Sequence, residues 1–84
     1  MTLHFIPGIG GTADMFRDYP FPFPARAHDY PRPPSSECSF ADYARFMIAT
    51  QGIAAGDVLV GMSLGGMMAC EIAKHLPIRK LVLV

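Results

Sequence analysis

Residues 58–75 read VLVGMSLGGMMACEIAKH, and no other stretch constrains the fold of this chain as tightly. Residues 58–62 are a short, almost wholly apolar run, the pattern of a strand covered on both faces. From Gly65 onward Met68, Ala69, Ile72, Ala73 and Leu76 recur at helical spacing, with Glu71, Lys74 and His75 on the opposite face. Only Ser63 and Leu64 separate the two periods, so strand passes into helix with no loop. That junction belongs to βαβ architecture, and the expected class is α/β with a mostly parallel sheet and flanking helices.

The rest of the chain extends this pattern. Residues 3–6 form a short strand that ends at Pro7-Gly8-Ile9-Gly10-Gly11. Residues 12–19 can form a short helix, which Pro20, Pro22 and Pro24 stop. A second strand is expected over 25–28, then a proline-rich loop over 29–36. Ser39-Phe40-Ala41-Asp42 reads as a capping box with Asp in the Glu place. Behind it Phe40, Tyr43, Ala44, Met47 and Ile48 form an apolar helical stripe, and Gly52 is a natural C-cap. Residues 80–84 make a further apolar strand after Pro77.

Length and composition bound what such a chain can be. Its 84 residues make one small domain with no internal repeat or composition break. With 51% hydrophobic and 17% charged residues it has the makings of a packed core. A formal net charge of zero gives no electrostatic pull toward nucleic acid or an anionic membrane. No apolar run approaches the roughly 18 residues of a membrane span. MTLHFIPG has no basic start, as a secretory leader would. Cys38 and Cys70 stand in unrelated settings, a polar loop and a helix, so free thiols and a cytoplasmic setting are expected.

Gly61-Met62-Ser63-Leu64-Gly65 fits G-x-S-x-G in the context that pattern requires, between a strand and a helix. A direct strand-to-helix turn forces a strained backbone at the serine. Side chains at the flanking positions would collide, hence Gly61 and Gly65. The turn lifts the Ser63 hydroxyl above the sheet as a candidate nucleophile. It also leaves the Leu64 N–H at the helix N-terminus, free to face a developing oxyanion. The glycines after the first strand, Gly8 above all, let backbone approach the same point, with the Ile9 N–H as second donor. The plainer alternatives are a Gly/Ser turn that only caps its helix and an ordinary strand-to-helix loop.

Taken together these segments resemble the first part of an α/β-hydrolase. IPGIGGTADMF resembles that family's oxyanion loop after its third strand, and AHDYP the segment after its fourth. VLVGMSLGGMMACEIA resembles its fifth strand, nucleophile elbow and helix, and RKLVLV its sixth strand. The chain departs from the family at Pro7, where many members carry His, and in lacking the first two strands. The resemblance implies sheet order 4-3-5-6 in the family's numbering, a small-molecule acyl substrate, hydrolysis of an ester or related bond, and no metal or organic cofactor. Transferase and haloperoxidase chemistry use the same elbow.

A serine nucleophile needs a base and an acid, in this family in the chain order Ser, Asp or Glu, His. Glu71 and His75 follow in that order, but a straight helix carries them roughly 12 and 18 Å along its axis from Ser63. They read instead as an i, i+4 surface pair. His4 lies inside a strand, and His28 and Asp29 end a strand that is not next to Ser63. The resemblance therefore places acid and histidine after Val84, with residues 1–84 as the N-terminal part of the domain. The final apolar strand would then expose an edge open to self-association.

Three other readings compete. Gly8-Ile9-Gly10-Gly11-Thr12-Ala13 matches a dinucleotide fingerprint with Asp29 near the ribose-binding offset, but the prolines cut short the long helix that such a site requires. The proline-rich stretch could serve a proline-binding module. A non-catalytic hydrolase-like binding domain, or an inactive fragment, would share the elbow.

Overall fold

A computed structural model describes residues 1–8 and 24–84. In chain order its elements are β1 (Leu3–Ile6), β2 (Ala25–Ala27), α1 (Phe40–Gln51), β3 (Val58–Gly61), α2 (Leu64–Ala73) and β4 (Lys80–Leu83). The four strands form one parallel sheet in the order β2-β1-β3-β4. This is the α/β class expected, in the strand order expected. The segment expected as a short helix over 12–19 lies outside the described residues.

The two central strands explain their own composition. β1 and β3 pair from Leu3↔Val58 to Ile6↔Gly61 and carry buried residues on both faces. Ile6 and Leu59 face the helices and join Ala44, Met47, Met68, Ala69 and Ile72 in one core. Leu3, Phe5 and Val58 form a second cluster on the opposite face. The edge strands differ. β4, the apolar strand expected after Pro77, lies at one edge with Leu83 57% exposed, and among the described residues no strand pairs with its outer side.

Local signals set the helix ends. Ser39 Oγ accepts from the Asp42 N–H at 3.0 Å, and the Asp42 carboxylate accepts from the Ser39 N–H, completing the capping box. Gly52 ends α1 in the left-handed region at φ 68° and donates to the Ile48 carbonyl. The buried face of α1 is narrower than its apolar stripe: Ala44 and Met47 are buried, but Phe40, beside the cap, is exposed.

This topology fixes where a ligand would sit. The strand that follows β1 in sequence lies on one side of it, and the strand that follows β3 lies on the other. Connections therefore diverge above the carboxyl ends of β1 and β3. Open parallel sheets bind ligands at such a switch point.

Candidate active site

Ser63 stands at that point. Its backbone has φ 56° and ψ −117°, and no other non-glycine residue described has positive φ. Such a conformation costs of order 1–3 kcal/mol for a residue with a side chain. The geometry around it shows why the chain accepts this. β3 ends at Gly61 and α2 begins at Leu64, so two residues reverse the chain. A Cβ on Gly61 would lie 2.3 Å from the Gly65 carbonyl oxygen. A Cβ on Gly65 would lie 2.0 Å from the Ile6 oxygen and 2.7 Å from the Pro7 oxygen. Both glycines are thus required by close backbone approach, as the sequence pattern implied.

The strained turn presents its polar groups outward. Ser63 is exposed, and its side chain makes no capping bond to α2. The Gly65 N–H goes to the Met62 carbonyl at 2.8 Å, and the Gly66 and Met67 N–H groups go to the Ser63 carbonyl. The Leu64 N–H, first in the helix, has no backbone acceptor among the described residues. Among the described residues 62–67 it is the one backbone N–H without a backbone acceptor.

The loop after β1 closes the other side. Pro7 and Gly8 are buried, and a Cβ on Gly8 would lie 3.3 Å from Ser63 Cβ and 3.9 Å from Ser63 Oγ. Gly8 is therefore packed directly against the serine. Ile9, the expected second donor, lies outside the described residues, as do the remaining glycines of the loop. The Pro7 carbonyl accepts from the Tyr30 hydroxyl at 2.6 Å.

No imidazole or carboxylate among the described residues is hydrogen-bonded to the Ser63 hydroxyl. Glu71 and His75 pair with each other at 3.1 Å along α2, as their spacing implied, though both are partly buried rather than fully solvated. His28 turns away from Ser63 and into the core.

That core holds a hydrogen-bonded chain which the residues alone did not reveal. Asp57 Oδ2 meets His4 Nε2 at 2.8 Å, His4 Nδ1 meets His28 Nε2 at 2.7 Å, and His28 Nδ1 meets Gln51 Oε1 at 2.9 Å. His4, His28 and Asp57 are all at least nine-tenths buried. The Gln51 Nε2 donates to Thr50 Oγ1, whose own proton goes to the Phe46 carbonyl, so Gln51 offers its oxygen to His28. Burial first, and then the neighbouring His4, pushes His28 down to about 4. Burial alone would raise Asp57, but hydrogen bonds from the Ala54 N–H, His4 and the Thr2 N–H outweigh it and hold the carboxylate below its usual range. A histidine inside a central strand was the available signal, since a buried imidazole must find partners. Which partners depends on strand register.

No protein-family model matches this chain, and no curated protein matches it significantly.

A lone exposed hydroxyl beside a free helix-terminal N–H and a glycine loop suits nucleophilic attack on a carbonyl. Among the described residues no group of three His, Cys, Asp or Glu side chains is arranged to hold a metal ion. Both ring nitrogens of His4 are already engaged. Cys38 and Cys70 are free thiols, and no described helix is long and apolar enough to cross a membrane.

Proposed function

We propose that this chain carries the nucleophile and oxyanion side of an α/β-hydrolase-type serine hydrolase acting on an ester or related acyl bond. One observation carries the reading. Ser63 holds a strained positive φ at a strand-to-helix turn, with an exposed side chain that makes no capping bond to α2. A turn needed only to cap α2 would gain by using the serine side chain as a cap, or by using glycine there. Strain kept at a solvent-facing hydroxyl is the pattern of a nucleophile elbow.

In this reading each group has a role. Ser63 Oγ attacks the carbonyl carbon, and the charge that develops on the oxygen is met by the Leu64 N–H. The sequence adds the Ile9 N–H as second donor, and Gly8 makes room for the acyl group. Base and acid come from outside the described residues. The substrate is a small acyl compound, and the free thiols fit a cytoplasmic protein.

The second reading is a non-catalytic hydrolase-like binding domain. It is favoured by one observation, the absence of a hydrogen-bonded base on Ser63 among the described residues. Labelling separates the two. The full-length gene product should react with a fluorophosphonate at Ser63 and lose that labelling in Ser63→Ala. Failure of the wild type to label under conditions that label serine esterases would favour the binding domain.

A further inference from the structure

We propose that Tyr30 is a positioning residue for this site, holding the Pro7–Gly8 peptide against Ser63. The proposal rests on the serine-hydrolase reading above and names a residue to which that reading gives no role.

Three contacts meet at one peptide group. The Tyr30 hydroxyl donates to the Pro7 carbonyl at 2.6 Å, a short bond for a neutral pair. The same oxygen lies 2.7 Å from where a Gly65 Cβ would be, so the elbow leaves the carbonyl no room to tilt toward α2. The peptide is planar, so fixing the carbonyl direction also fixes where the next atoms go. Those atoms are Gly8, whose Cα faces Ser63 with room for only about one further carbon. The phenol therefore sets the spacing between Gly8 and the nucleophile.

Tyr30 is itself held from behind. The His28 N–H donates to the Phe5 carbonyl at 3.0 Å, and the His28 ring is locked into the core by His4 and Gln51. On its other side the Tyr43 hydroxyl donates to the Pro31 carbonyl, and the Tyr30 and Tyr43 rings lie 6.3 Å apart. Residues 28–31 thus form a strap fastened at both ends to β1 and α1, with Tyr30 as its reach toward the site. Pro7 gives the arrangement a reason. Its backbone has no N–H, so its carbonyl is the polar group it must satisfy in a buried position. Burial raises the Tyr30 phenol to about 12, which keeps it a donor throughout the neutral range.

Tyr43 supplies a matched comparison, since it too is a partly buried phenol donating to a proline carbonyl, that of Pro31 rather than Pro7. The test compares Tyr30→Phe and Tyr43→Phe in the full-length gene product, using p-nitrophenyl acetate turnover and the rate of fluorophosphonate labelling. We expect Tyr30→Phe to lower kcat and the labelling rate about tenfold with KM within about twofold, because a small misplacement at the reacting centre slows the chemical step. Tyr43→Phe loosens only the far end of the strap and is expected to lower thermal stability, with a kcat loss clearly smaller than that of Tyr30→Phe. As a second probe, 3,5-difluorotyrosine at position 30 keeps the shape and the donor but ionises more readily. It should introduce an alkaline loss of kcat that the wild type and the same replacement at position 43 lack.

Equal kcat losses in the two phenylalanine variants, or a Tyr30→Phe effect on melting alone, would overturn the positioning role. So would a flat alkaline profile for the fluorinated protein. Turnover that survives Ser63→Ala, or a wild type with none, would instead remove the serine-hydrolase reading and this proposal with it. The Ser63 variant therefore tells the two failures apart.

Discussion

His4 Nε2 lies 2.8 Å from Asp57 Oδ2 in a core where His4 is fully buried and Asp57 only 5% exposed. The pair ties the first strand to the residue just before β3. Asp57 also accepts from the Thr2 and Ala54 N–H groups, so one carboxylate ties residues 2–4 to the turn over residues 54–57. Removing it as Asp57→Ala leaves an imidazole and two N–H groups without partners. Breaking a buried pair in this way costs about 3–5 kcal/mol, a large part of a small domain's stability. We expect the variant to be largely unfolded at 25 °C by circular dichroism. An unchanged urea midpoint would show that the chain of bonds is dispensable.

The same network makes the fold sensitive to mild acid. The folded state holds His28 at about 4, below the 6.5 of a free histidine, so the unfolded chain binds the proton more readily. That stability is complete above about pH 6.5 and is lost progressively as pH falls toward 4. The depressed Asp57 carboxylate adds a further loss in the carboxylate range, again on lowering pH. Melting temperature should therefore begin to drop near pH 6.5, well above the carboxylates. His28→Gln should flatten the upper part of this drop and leave the lower part in place. A wild-type melting temperature constant from pH 7 to about 4.5 would contradict the assignment.

At Ser63, stability and chemistry should part company. Glycine tolerates φ 56° and ψ −117° far better than serine does. Ser63→Gly should thus stabilise the fold by about 1 kcal/mol while removing the nucleophile. Calorimetry of the variant beside the wild type checks the sign. A destabilised Ser63→Gly would mean that the turn is not strained.

Gly65 should tolerate not even a methyl group. The Cβ of alanine would stand 2.0 Å from the Ile6 carbonyl oxygen, a backbone atom that cannot rotate away. Gly65→Ala should cost about 3 kcal/mol, at the upper end of overpacking effects, and Gly65→Val more. Gly66→Ala is the natural control, since its Cβ would meet nothing closer than the Leu83 side chain at 3.4 Å. Equal melting temperatures for Gly65→Ala and Gly66→Ala would show that the elbow is drawn wrongly.

The 84-residue chain by itself should associate through β4 and show no enzyme-like turnover. Its outer edge is unpaired among the described strands, with Leu83 57% and Val84 73% exposed. Edges of this kind pair with other chains unless a charge interrupts them. Light scattering should report oligomers for the wild-type chain and mainly monomer for Leu83→Lys. With no base hydrogen-bonded to Ser63 among the described residues, p-nitrophenyl acetate should be hydrolysed at the buffer rate. A monomer turning over with Ser63 dependence would place a base at the serine after all.

Much of this architecture was legible in the residues because it follows from local rules. The apolar run before Gly61, the helical period after Gly65 and the Ser39–Asp42 cap are each set by neighbours a few positions apart, and each stands where it was expected. The tight strand-to-helix turn was legible for the same reason. A strand that becomes a helix within two residues leaves only glycine room beside Ser63, and the pattern G-x-S-x-G records that steric fact. The proton-bearing core and the Tyr30 contact were not legible. His4, His28, Gln51 and Asp57 are spread over more than fifty positions, and so are Pro7, Tyr30 and Ser63. They meet only because β1 is inserted between β2 and β3 in parallel register. Local sequence determines which elements form, since backbone sterics and hydrophobic period act over a few residues. Which buried polar groups become partners is decided by strand order and register, since a hydrogen bond requires atoms about 3 Å apart and only the tertiary structure brings them there.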